Sequence, residues 1–149
     1  RRGWHAGAAL VLRQRLCLPA LVGRVCLVLL RFHGDEFALD CRDPRALAEF
    51  YAAITGWTVV QDEDDWVEVR GAGPVGLAFQ LAPDHVPPDW PSSERPQQAH
   101  LDFDVDDLDA AEAGVVALGA VKAAVQPDPG FRVFLDPAGH PFCLVLAAG

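Results

Sequence analysis

FRVFLDPAGHPFCLVL, residues 131–146, is the stretch from which the rest of the chain is read. Phe131, Val133 and Leu135 alternate with Arg132, Phe134 and Asp136, the period-two pattern of a half-buried strand. DPAG (136–139) then supplies a tight turn, with Pro137 presetting one backbone angle and Gly139 free to take a positive φ. Pro141–Leu146 is nearly all apolar, which places it inside a sheet. The stretch is therefore a β-hairpin, and with His100 upstream it frames the mouth of a cavity.

Upstream, HLDFDV (100–105) alternates as a strand, and DDLDAAEAGVVALG (106–119) puts Leu108, Ala111, Val115 and Leu118 on one helical face. Val121–Val125 is a further strand, so residues 98–147 read βαβββ. The same order occurs earlier. FALDC (37–41) is a strand; Asp43 caps a helix that has Pro44 at its first position and Leu47, Phe50, Tyr51 and Ile54 in one stripe. Gly56 ends that helix, and strands at Trp57–Gln61, Trp66–Arg70 and Val75–Leu81 follow. A slide of 63 residues sets Asp43 on Asp106, Ala48 on Ala111, Glu49 on Glu112 and Gly56 on Gly119. The chain thus reads as an internal duplication. The modules are 35–81 and 98–147, joined by the linker 82–97, whose five prolines bar an ordinary helix or central strand. The expected fold is α+β: paired βαβββ modules forming a cupped mixed sheet over 35–149.

Residues 1–34 differ from this domain. They hold six Arg and no acid, and Arg13, Arg15, Arg24 and Pro19 interrupt their apolar runs. Neither a signal peptide nor a membrane span is expected there; the segment reads as a basic apolar extension outside the fold. The remaining 115 residues carry 21 acids against six bases, a net −15. Phosphate backbones need clustered Lys and Arg, so nucleic acid is excluded as a partner of the domain and a small molecule is expected. The four cysteines (17, 26, 41, 143) form no CxxC pair, which argues against a disulfide framework or zinc knuckle and for a reducing cytoplasm. No Ser–His–Asp spacing, phosphate loop or dinucleotide fingerprint is present.

With DCRDPRALAEFYAAITGW (40–57), GLAFQ (76–80), VPPDWP (86–91), QQAHLDFDVDDLDAAEAGVVALGA (97–120) and FRVFLDPAGHPFCLV (131–145), the chain resembles the vicinal oxygen chelate superfamily. That group includes glyoxalases, bleomycin-resistance proteins and extradiol dioxygenases, and the likeness is strongest to its glyoxalase-like domain proteins. The resemblance implies a metal set drawn from the first and last strands of each module: Glu36, Gln80, His100 and Cys143. Cys143 departs from it, standing where metal-dependent glyoxalases carry Glu. A hard cation would find one carboxylate, whereas zinc could take His100, Glu36 and a Cys143 thiolate. Cofactor expectations therefore divide between a divalent ion, zinc or another, and none.

His100 shares a strand face with Asp102 and Asp104, opposite Leu101, Phe103 and Val105, which points to a wet cavity. Cys143 reads equally as a small buried hydrophobe, with no base beside it to lower its pKa. His140 is expected to satisfy turn carbonyls and His85 to be exposed. Two functions follow. One is a glyoxalase-like enzyme of lyase or isomerase type, with Glu36 as catalytic base and His100 as ligand or hydrogen-bond donor. The other is a non-catalytic binding or drug-sequestering protein, with Asp40, Asp102, Trp57, Trp66 and Trp90 lining the cavity for a cationic or polar aromatic ligand. Family members often pair, so a homodimer is part of what the resemblance implies.

Overall fold

A computed structural model describes residues 36–147, and all of them fall within one compact unit. The expectations for residues 1–34 lie outside the described residues. The first module runs β1 (Glu36–Cys41), α1 (Pro44–Thr55), β2 (Thr58–Asp62), β3 (Trp66–Arg70) and β4 (Gly76–Leu81). The second runs β5 (Leu101–Val105), α2 (Leu108–Ala117), β6 (Val121–Lys122), β7 (Phe131–Leu135) and β8 (Pro141–Leu146). Each module makes a four-stranded mixed sheet, in the orders β1-β4-β3-β2 and β5-β8-β7-β6. The first strand of each pairs parallel with the last, and the other pairings are antiparallel. The doubled βαβββ architecture is therefore present.

The cap chemistry follows the sequence. Asp43 accepts a hydrogen bond from the Ala46 amide at 3.0 Å, and Gly56, at φ 70°, closes α1 in the left-handed region where a side chain would be strained. The second cap corrects the reading by one residue. Asp107, not Asp106, is the N-cap, its carboxylate accepting from the Asp109 and Ala110 amides. The N-caps are thus 64 residues apart, whereas the glycines that follow the helices are 63 apart. β6 stops at Lys122 rather than Val125 because a side chain replaces backbone. Gln126 accepts from the Val133 amide and donates to the Val133 carbonyl, both at 2.9 Å, occupying the edge a longer strand would use.

One apolar core serves both modules. Leu47, Phe50 and Tyr51 of α1 join Val67, Val69, Leu77 and Phe79 of the first sheet and Phe134, Phe142 and Leu144 of the second. Tyr51 stacks on Phe79 at 5.3 Å and lies 6.2 Å from Phe103, while Phe50 meets Phe142 edge-on at 6.0 Å. Burying each such ring is worth roughly 1.5–3 kcal/mol, and each ring pair about 0.5–1.5 more. Neither sheet could bury its helix-facing side without the other module. α2 is held more lightly; Val115 is its one buried residue, and Leu118, placed on the apolar face by its spacing, is exposed. Instead Arg132 ties α2 to β7, donating to the Leu108 carbonyl, Glu112 and Asp109.

A buried polar knot joins the modules. Asp136 in the DPAG turn accepts from the Tyr51 hydroxyl at 2.9 Å, from the Ala138 and His140 amides at 2.9 Å each, and lies 3.0 Å from His140 Nδ1. His140 is therefore structural, as expected, but its partner is a carboxylate rather than turn carbonyls. His85 is half-buried instead of exposed, its ring 4.9 Å from that of His140 and its Nε2 3.3 Å from the Ala138 carbonyl. The linker has no helix or strand, in line with its prolines, and Gly139 (φ 90°) lies against Pro87.

Candidate functional site

The candidate side chains sit on the sheet faces directed away from the helices. Along β5, Leu101, Phe103 and Val105 pack on the core, which leaves His100, Asp102 and Asp104 for the other face. On β8, Cys143 lies directly across from Asp102. One ligand atom from each of His100, Asp102 and Cys143 falls within 4.8 Å of the other two. His100 Nε2 is 3.5 Å from Asp102 Oδ1, and the amide of Gln97 is 3.4 Å from His100 Nδ1. The Cys143 thiol is pushed up to about 11, mainly by burial and then by its hydrogen bond to Asp102 and that residue's charge. It is no nucleophile at neutral pH.

The first module presents a different set. Glu36 and His100 each stand seven residues before their helix caps, so they are counterparts. Glu36 is engaged by Arg70, whose guanidinium lies 2.8 Å from its carboxylate and also pairs with Glu68. The counterpart of Cys143 follows from the registers. Asp102 lies opposite Cys143 and Ala38 opposite Ala78, so Ala78 takes the place assigned to Gln80. Gln80 lies two residues further along, exposed, across from Asp40 on one side and Trp66 on the other. A small residue in LAF looks like nothing in particular from sequence, whereas FQL and FCL look alike; only the strand register separates them.

The structure thus brings together His100, Cys143 and Asp102, the last foreseen as a cavity residue rather than a ligand. Glu36 is not among that group, and Ala78 offers no donor. The oxygen-rich set that a hard divalent ion needs from both modules does not fit these residues. The aromatic candidates are dispersed. Trp66 is buried on the helix-distal face, and Trp57 packs on the core beside Gly71, lining a cavity of about 480 Å³ between α1 and α2. Trp90 is half-buried in the linker. A separate cavity of about 410 Å³ opens where the modules and linker meet, bounded by Ala38 and Asp40 of β1, Val86 and Arg95 of the linker, and His140 and Pro141. No helix among the described residues is long and apolar enough to cross a membrane.

Comparison with known proteins agrees with this architecture. No curated protein matches the chain. Among solved structures, a glyoxalase/bleomycin resistance protein/dioxygenase family enzyme from Burkholderia phytofirmans superposes with a TM-score of 0.61 at 16% identity, covering 76% of this chain and 98% of its own. A glyoxalase family protein from Enterococcus faecalis gives 0.57 at 19% identity, covering 74% and 94%. The bleomycin-binding protein of Streptomyces verticillus, solved with copper(II)-bleomycin, gives 0.50 at 19% identity, covering 80% and 100%. At these identities the likeness establishes the fold. The profile described as "Glyoxalase-like domain" matches residues 36–145, and the chain accordingly belongs to that family, within the vicinal oxygen chelate superfamily.

Proposed function

We propose that this domain binds a small polar or cationic aromatic molecule in the cavity between β1, the linker and the start of β8, as a binding member of the family. The observation that carries this reading is the cavity itself. At about 410 Å³ it falls in the range of small-molecule sites, and both modules and the linker contribute to its wall. Asp40 gives it a carboxylate, and Phe37, Pro88 and Pro141 give it apolar surface. The first module argues against family-type metal chemistry, since Ala78 lacks a donor and Glu36 is paired with Arg70. A sequestering role is also what the fold performs in the Streptomyces bleomycin-binding protein.

The test is a thermal-shift screen of cationic and neutral aromatic compounds against the full chain. A ligand at about 100 times its Kd adds about 2.7 kcal/mol, on the order of 10 °C for a domain of this size. Asp40→Asn should weaken cationic hits selectively, and Ala38→Trp should abolish all of them. Hits unaffected by both substitutions would move the site elsewhere and end this reading.

One observation favours the enzymatic alternative. His100 and Asp102 form a half-exposed imidazole–carboxylate pair, which can accept a proton from carbon beside a carbonyl. Lyase or isomerase turnover that disappears in His100→Ala, with binding intact, would favour it over sequestration.

A further inference from the structure

We infer that the second module alone holds a zinc site, with His100, Asp102 and Cys143 as its three protein ligands. Its donors differ from those the family resemblance implies, and it does not depend on the small-molecule reading above. The sheet supplies the geometry. His100 and Asp102 are alternate residues on one face of β5, and Cys143 stands opposite Asp102 on β8, so all three are fixed to paired strands rather than loops. Ligand atoms of a tetrahedral zinc at about 2.1 Å are about 3.4 Å apart. His100 Nε2 and Asp102 Oδ1 already stand at 3.5 Å, and the group as a whole spans 4.8 Å. A small side-chain rotation at Cys143 would close the remainder.

The donor chemistry selects the ion. One imidazole nitrogen, one carboxylate oxygen and one sulfur suit zinc and do not suit magnesium, manganese or calcium. Binding requires the thiol to ionise. Asp102 and the Cys143 thiolate then balance the 2+ charge, one proton leaves to solvent per ion bound, and affinity rises with pH. His100 and Asp102 have side-chain exposures of 42% and 58%, which leaves a fourth coordination position facing outward. The first module has no equivalent: its corresponding residues are Glu36, Ala38 and Ala78, of which only the first is a donor. A site complete in one copy and dismantled in the other is a property of this chain's own residues.

The experiment is metal titration of the full chain, with zinc affinity read by chelator competition and cobalt(II) as the spectroscopic stand-in. The expected result is one equivalent that shows sulfur-to-cobalt charge-transfer absorption. Cys143→Ser should remove that absorption, and His100→Ala and Asp102→Asn should weaken zinc by at least about 10-fold. Glu36→Gln and Gln80→Ala should leave affinity within about 2-fold, because on this inference neither touches the ion. Cys17 and Cys26 stay in every variant, so only differences between variants count. Should Cys143→Ser fail to fold, Asp102→Asn, at an exposed carboxylate, gives the same reading. Retention of the charge-transfer band in Cys143→Ser, loss of metal in Glu36→Gln, or no retained equivalent in the parent chain would each overturn the inference. None of these outcomes bears on the aromatic-ligand screen, which is run with chelator present.

Discussion

Replacing Tyr51 by Phe removes one oxygen atom and tests how the two modules are held together. The Tyr51 hydroxyl is the link from α1 to the DPAG turn, donating to Asp136 at 2.9 Å inside a core where Tyr51 is 0% and Asp136 3% exposed. Asp136 receives four hydrogen bonds, two at each oxygen when His140 carries its proton on Nδ1. A hydrogen bond to a charged group contributes about 1.5–3 kcal/mol net. Tyr51→Phe should therefore cost roughly 2 kcal/mol, since the ring and its stacking on Phe79 stay in place. Asp136→Ala should cost more, about 4–5 kcal/mol, because it strands the hydroxyl, the imidazole N–H and two amides together. Asp136→Asn should fall between the two, keeping the amide contacts at one oxygen. Urea unfolding read at constant m-value gives the free energies, and a double-mutant cycle between Tyr51→Phe and Asp136→Asn isolates the coupling. A Tyr51→Phe loss below about 0.5 kcal/mol, or a coupling that small, would refute the claim that this knot fastens the modules.

Other perturbations follow from the same geometry. Gly139→Ala should destabilise by about 1–3 kcal/mol in thermal unfolding, since φ is 90° there and the new methyl would press on Pro87; a neutral result would show the linker is free to shift. Arg132→Ala should speed amide exchange across α2 while leaving α1 protected, because α2 has little buried surface and relies on contacts to Leu108, Asp109 and Glu112. Uniform exchange in both helices would contradict that. Stability should fall as pH rises from 9 towards 11. Burial first, then nearby carboxylates, push Cys41 and Cys143 from 9.0 to about 11, so the unfolded chain loses those protons first and the advantage of the folded state disappears. Tyr51, raised well above 10 by burial and by Asp136, extends the decline further. Flat stability from pH 8 to 11 would disprove the burial of both thiols.

Much of the fold was legible because it is written in local chemistry. An Asp–Pro helix start, a Gly stop, alternation in FRVFL and LDFDV, and a proline-rich linker each act within a few residues, so the doubled βαβββ order could be read directly. The misreadings came where a distant group intervened. Gln126 displaces the end of β6, and the ring of His140 draws in His85 from the linker. The slide of 63 residues drifts because the cap-to-cap and strand-to-strand spacings differ. His100 and Cys143 could be nominated as neighbours from motif resemblance, and the structure does bring them together.

What sequence alone determined is therefore the kind and order of elements, since caps, turns and periodicity are settled by each residue and its nearest neighbours. Register, pairing across modules and the company each polar side chain keeps were decided by the tertiary structure. A strand exposes every second residue whichever partner it meets, and a shift of two residues preserves both faces while exchanging Gln80 for Ala78. The same pattern of apolar and polar residues is thus compatible with more than one set of ligands, and hydrogen bonding between β1 and β4 chooses among them.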